Sequence, residues 1–210
     1  MANNVQFTIN IEGLTDEQFD SQIKTKIFKR KNYSGEEYDS KEFVEIEHQP
    51  FMNNVEKSFD KDGYLINSYD WYCSNVGAKW CIIEEIDSNY ITGYTAWRQP
   101  HELVINIMEY FANMYNVELT ANMTYEDEFR NFMGKQYYEM VEDNGWTVWE
   151  GDCIETDGDK LVDTFNEHYP HIDTTGEDFD WYEETLDAYG EPLYPNECLD
   201  EIADRFWETA

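Results

Sequence analysis

A chain that must fold around 46 acidic and only 14 basic side chains has few options. Its formal net charge is −32 over 210 residues, and like charges repel in any compact state. The surplus is uneven: Glu150 to Ala210 holds 20 acids and two bases, Lys160 and Arg205. Acidic disordered tails are poor in aromatics. This chain instead has seven Trp, sixteen Tyr and twelve Phe, and 41% of it is hydrophobic. The composition therefore predicts a folded protein with an acidic skin, long enough for one sizeable domain or a domain plus an extension.

Several classes fall away. No apolar run reaches the roughly 20 residues of a membrane helix, and anionic lipid surfaces would repel such a chain. Met1–Asn10 has neither a basic start nor an apolar core, so no secretory signal is expected. Cys73, Cys81, Cys153 and Cys198 form no CxxC pair, which favours reduced thiols in a cytoplasm over a disulfide scaffold. Six of the fourteen bases lie between Lys24 and Lys41. They are a nucleic-acid contact or, the preferred reading, partners for the chain's own acids, since a duplex would feel the field of the whole molecule.

Periodicity supplies the elements. Val5, Phe7, Ile9 and Ile11 alternate with polar residues as in a half-buried strand. Thr15 is suited to cap a helix from about Asp16 to Phe28, with Phe19, Ile23 and Ile27 four residues apart. Lys29–Ser40 reads as a polar loop, Glu42–Glu47 as a short strand, Phe51–Phe59 as a helix and Tyr69–Ser74 as a turn or short helix. Lys79–Ile86 and Tyr90–Trp97 form a hairpin about Asp87-Ser88-Asn89. Pro100 opens the strongest helix, with Leu103, Ile107, Met108, Phe111 and Met114 at helical spacing. Val117–Thr124 is a strand, and Asn144-Gly145 joins a last hairpin, Gln136–Val141 with Trp146–Trp149. Beyond Gly151, short amphipathic helices are expected over Lys160–Glu167, Phe179–Tyr189 and Leu199–Trp207. The class is α+β: a mostly antiparallel sheet with helices on one face, over residues 1–150, and an acidic, aromatic-rich helical extension over 151–210.

Three segments carry a family likeness. They are Trp71-Tyr72-Cys73-Ser74-Asn75-Val76-Gly77-Ala78-Lys79-Trp80, then Thr95-Ala96-Trp97-Arg98-Gln99-Pro100, then Tyr125-Glu126-Asp127-Glu128 through Phe132-Met133-Gly134. Between about Tyr64 and Trp149 the chain resembles the YubB-type ferredoxin-like domains of phage and plasmid proteins. It departs from their pattern at Val76, Ala78 and Gln99. The resemblance implies a βαββαβ ferredoxin-like sandwich and a mobile-element setting, and it carries no activity with it. From the residues alone, Trp80 and Trp97 fill a sheet–helix core, Gly77 permits a turn, and Lys79 pairs with an acid such as Glu84 or caps a carbonyl.

Signatures of catalysis are missing. There is no G-x-S-x-G, P-loop, G-x-G-x-x-G or HExxH. His168, His171 and Asp173 suggest a metal site, but Pro170 interrupts any helix that would set its geometry. Glu155–Asp159 fails as a calcium loop, because Cys153 and Thr164 would fall at the two positions that need acids. No enzyme, metal or cofactor is expected. Duplex DNA presents one charge per about 1.7 Å, and carboxylates at three- and four-residue spacing along helices approach that density. The expected function is an interaction protein that mimics nucleic acid and blocks a CRISPR effector or restriction enzyme in a host cytoplasm. Its partner is then a basic, nucleic-acid-binding defence protein. Candidate contacts are Asp178, Asp180, Trp181, Tyr182, Glu183, Glu184 and Asp187, with Glu126, Asp127 and Glu128 as a second group. The alternatives are a soluble phage accessory protein whose acidity serves solvation, and a carboxylate-dependent hydrolase.

Overall fold

The computed structural model describes residues 3–23, 25–32, 34–43, 51, 58, 60–61, 66–142, 146–176 and 179–209. Its class is mixed α+β, with a six-stranded antiparallel sheet and, among the described residues, five helices. No helix among them is long and apolar enough to cross a membrane.

Strand β1 (Asn4–Glu12) shows why the sheet forms. Val5, Phe7, Ile9 and Ile11 are buried on one face, while Gln6, Thr8 and Asn10 point the other way. Helix α1 (Asp16–Asp20) starts with a capping box. Thr15 Oγ1 accepts the amide of Gln18 at 3.2 Å, and Gln18 Oε1 accepts the amide of Thr15 at 2.9 Å.

The helix expected to run on to Phe28 ends at Asp20. Residues Thr25–Lys31 are strand β2, which pairs antiparallel with β3 (Glu37–Phe43) as a separate two-stranded ribbon. The four-residue spacing misled because Ile27 does not share a face with Phe19. Phe19 is fully buried, whereas Ile27 is 63% exposed. The supposed loop over Lys29–Ser40 is the ribbon itself. Its rungs are charge pairs, Lys29 with Asp39 and Lys31 with Glu37, and its turn uses Gly35 at φ +82°. The pairs agree with the reading that these cations meet the chain's own acids. Of the expected strand Glu42–Glu47, residues 44–47 lie outside the described residues. So does nearly all of the expected helix Phe51–Phe59, although Phe51 itself is buried against Phe19 and Phe111.

Helix α2 (Ser68–Asn75) precedes the hairpin of β4 (Cys81–Asp87) and β5 (Tyr90–Ala96). The ladder slips between Ile83 and Glu85, a β-bulge that leaves Glu84 and Glu85 both exposed. Opposite the slip, Gly93 lets the Ile82 carbonyl come so close that any Cβ would stand 2.1 Å from its oxygen. Helix α3 (His101–Tyr115) buries Leu103, Val104, Ile107, Met108, Phe111 and Ala112, and Phe111 stacks 5.4 Å from Phe19. Then come β6 (Thr120–Asp127), β7 (Met133–Glu142) and β8 (Trp146–Thr156). The sheet order is β4-β5-β1-β6-β7-β8.

The rest is helix α4 (Gly158–His168), the short strands β9 (Thr185–Leu186) and β10 (Pro192–Leu193), and helix α5 (Pro195–Thr209). The chain divides into two compact units, residues 1–128 with 135–153 and residues 129–134 with 154–210.

Candidate interaction surface

The smaller unit is built on a modest core. Met133, Leu161, Phe165, Ile202 and Ala203 are buried together, with Tyr169, Ile172, Trp181 and Phe206 packed around them. Helix α4 starts at Asp157, whose carboxylate accepts the amide of Lys160 at 2.9 Å and meets its ammonium at 3.0 Å. Those bonds hold the Asp157 carboxyl below the usual carboxylate range.

With the apolar stripes turned inward, acids take the outer faces. On α4, Asp159, Asp163 and Glu167 are exposed at four-residue spacing. On α5, Glu197, Glu201, Asp204 and Glu208 are exposed at spacings of four, three and four. Each row steps about 6 Å along its helix. Arg205 reaches Glu201 at 3.9 Å, and Arg130 pairs with Asp200. None of these row residues is among the candidate contacts expected from the sequence, although the spacing that marks them is legible in the chain.

The expected helix Phe179–Tyr189 is absent. Asp180 Oδ1 accepts the amide of Tyr182 at 2.9 Å. Asp187 Oδ1 accepts the amides of Tyr189 and Glu191, each at 2.8 Å. Gly190 turns at φ +83°, and β9 pairs with β10 across that turn. Asp side chains that bond backbone two residues on favour turns over helices, and here they overrule the helical spacing of the aromatics.

The first group of candidate residues is therefore split. Asp178 lies outside the described residues. Asp180 is exposed and Asp187 half-buried, each with one oxygen engaged by backbone amides. Trp181 is half-buried, its ring edge-on to Phe165 at 5.2 Å and Phe179 at 5.0 Å, so it serves the core. Tyr182, Glu183 and Glu184 are exposed, and the Tyr194 hydroxyl donates to Glu184 at 3.2 Å, which raises the Tyr194 pKa. Tyr182 is 78% exposed, and Tyr189, which is not among the candidate contacts, is 92% exposed. A recess of about 350 Å³ in this unit is lined by His171, Ile172, Asp173, Gly176, Phe179, Thr185 and Leu186.

The second group also separates. Strand β6 runs to Asp127, so alternation places Asp127 with Ala121, Met123 and Tyr125 on the buried face. At 1% exposure Asp127 cannot present its carboxylate to a partner. Glu126 points from the opposite face. Glu128 is exposed, where Asn4 Nδ2 donates to it at 3.1 Å.

His168 Nδ1 lies 2.8 Å from the Thr164 carbonyl, and His171 Nε2 lies 3.2 Å from the Leu186 carbonyl. Asp173 is held by Thr175, which lowers its pKa. Among the described residues no three metal-ligating side chains converge. In the larger unit, His101 sits between the Tyr138 hydroxyl at 2.9 Å and Glu150 at 3.0 Å. The order carboxylate, imidazole, phenol is that of a nucleophile relay. Tyr138 is fully buried, however, and burial pushes its pKa up, so it stays a phenol shut off from solvent. No family model, no curated protein and no solved structure matches this chain.

Proposed function

We propose that the chain is an acidic interaction protein that imitates nucleic acid and occupies the nucleic-acid channel of a basic host defence protein. A CRISPR effector or a restriction enzyme, met in a host cytoplasm, is the intended class of target. The observation that carries this reading is the pair of carboxylate rows on α4 and α5, exposed and fixed on packed helices. Rigid rows offer a basic channel the charge spacing it normally meets on a backbone, and long-range attraction speeds capture. Exposed Tyr182 and Tyr189 add aromatic surface for tight contacts once docked.

The setting follows from the fold reading. The order β4-β5-β1-β6, with α2 before β4 and α3 after β5, supports a ferredoxin-like βαββαβ core. That core agrees with a YubB-type origin on a mobile element, and β7 and β8 extend its sheet.

The test is competition. Immobilised protein is exposed to bacterial lysate, and retained nucleic-acid-binding proteins are challenged with duplex DNA and with salt. A mimic releases them to DNA and loses affinity steeply as salt rises. Replacing Glu201, Asp204 and Glu208 together with Gln makes that salt dependence shallower. Retention of only acidic or neutral partners, or of a partner that DNA does not displace, sinks the mimic and leaves the solvation reading.

A further inference from the structure

We propose that Trp97, Lys79 and Arg98 form a binding site for a nucleoside monophosphate, a planar ring bearing one phosphomonoester. Trp97 has φ +70°, a conformation that bulky residues rarely adopt. Its surroundings hold it there. Its amide donates to the Asn3 carbonyl at 3.0 Å, and the Thr95 hydroxyl donates to the Arg98 carbonyl at 2.5 Å. The strain does not serve burial, because Trp97 is 52% exposed. The expectation that this ring fills the core is thereby corrected: the left-handed turn aims it outward.

Lys79 and Arg98 differ from five other cations of the chain. Lys79 Nζ stands 4.8 Å from the Trp97 ring centroid, and Arg98 is the next residue in the chain. Lys29, Lys31, Arg130, Lys160 and Arg205 each pair with a carboxylate. Among the described residues no ion pair involves Lys79 or Arg98, in a chain with 46 acids. The expected pairing of Lys79 with Glu84 is not formed. Glu128, across β1 from Ala96, is already bonded to Asn4. Lys79, seated over the exposed, strained indole, and Arg98, the next residue in the chain, are thus two cations without a carboxylate partner among the described residues.

That arrangement selects a ligand. An indole face stacks on a planar base, and two cations balance the two charges of a phosphomonoester. Charge is screened over about 8 Å at physiological salt, so the pair governs its own neighbourhood. Each further phosphate of a polynucleotide would meet the acidic field with no cation to match. The site lies in the larger unit, whereas the acidic rows belong to the smaller one.

The experiment titrates adenosine 5′-monophosphate into the full chain and follows the indole N–H signals by NMR. The Trp97 signal is the one lost in Trp97→Phe. The expected result is a saturable shift of that signal, with weaker binding of adenosine and of inorganic phosphate. Lys79→Met and Arg98→Met should each weaken binding about tenfold. Trp97→Gly, its affinity read by isothermal titration calorimetry, should weaken binding by a similar factor with no loss of melting temperature, since glycine accepts φ +70° without strain. A Trp97 signal that does not move at about 10 mM nucleotide overturns the proposal. So does phosphate binding as tightly as the nucleotide, unchanged affinity in Trp97→Gly, or tighter binding of a short oligodeoxythymidylate.

Discussion

The two compact units solve the same electrostatic problem in different ways. In the larger one, a six-stranded sheet buries Val5, Phe7, Ile9, Met123 and Tyr125 in the same core as the apolar stripe of α3. The smaller one rests on five buried side chains, with aromatics closing around them. Yet most of the carboxylates from Glu150 onward belong to the smaller unit. The difference teaches that core size does not decide where repulsion is tolerated. Helices that turn every acid outward hold like charges at a fixed spacing, and turns built on Asp side chains use some carboxylates as internal acceptors.

Breaking the larger core should give the largest effect. Phe111 touches Phe19, Phe51 and Tyr115, so Phe111→Ala should cost about 3–5 kcal/mol in chemical denaturation. A smaller loss would mean that this unit does not depend on its sheet–helix core as described. Next comes the buried phenol. His101→Ala leaves the Tyr138 hydroxyl without its 2.9 Å partner, which should cost about 1–3 kcal/mol.

Tyr138 adds an alkaline signature. Its pKa is raised by burial, then by Glu150, Cys153 and Glu102. A group whose folded pKa lies above its unfolded value stabilises fully below the unfolded value, about 10 for tyrosine, and loses that contribution as pH rises further. Stability should therefore fall above that pH, and Tyr138→Phe should flatten the fall. An unchanged slope in the variant would assign it elsewhere.

Salt should separate the units. Screening self-repulsion should slow amide exchange at Ile202 and Ala203 by on the order of 1 kcal/mol, with little change at Val5 or Ile9. Equal protection in both units would remove the contrast. The smallest effect concerns the ribbon. Ile27→Thr should stay within about 0.5 kcal/mol of the parent, because that side chain faces solvent. A larger loss would restore the helical packing that the spacing of Phe19, Ile23 and Ile27 suggested.

How much was legible depended on what stabilises each segment. Where apolar burial decides, as in β1, the β4–β5 hairpin and α3, periodicity located the elements to within two residues. The ribbon was missed because its rungs are ion pairs, which leave no apolar alternation to read. Phe179–Tyr189 was misread because Asp180, Asp187 and Gly190 impose turn chemistry on aromatics at helical spacing. Of the candidate surface, the acidic C-terminal region was anticipated and its rows were not. The rows show only in helical phase, which separates Asp163 and Glu167 from Leu161 and Phe165, and not in the local density of acids. Asp127 was misplaced by ending β6 three residues early, which hid its inward position.

The bulge in β4 bears on how copies of this protein meet. That strand lies at one end of the described sheet, where open amides and carbonyls would template another chain. The slip between Ile83 and Glu85 interrupts the ladder an incoming strand would follow, and it sets two glutamates side by side in its path. A strand added there meets broken register and doubled negative charge at the same point. The irregular residue thus keeps the sheet from growing, and Gly93 on β5 makes that irregularity sterically possible.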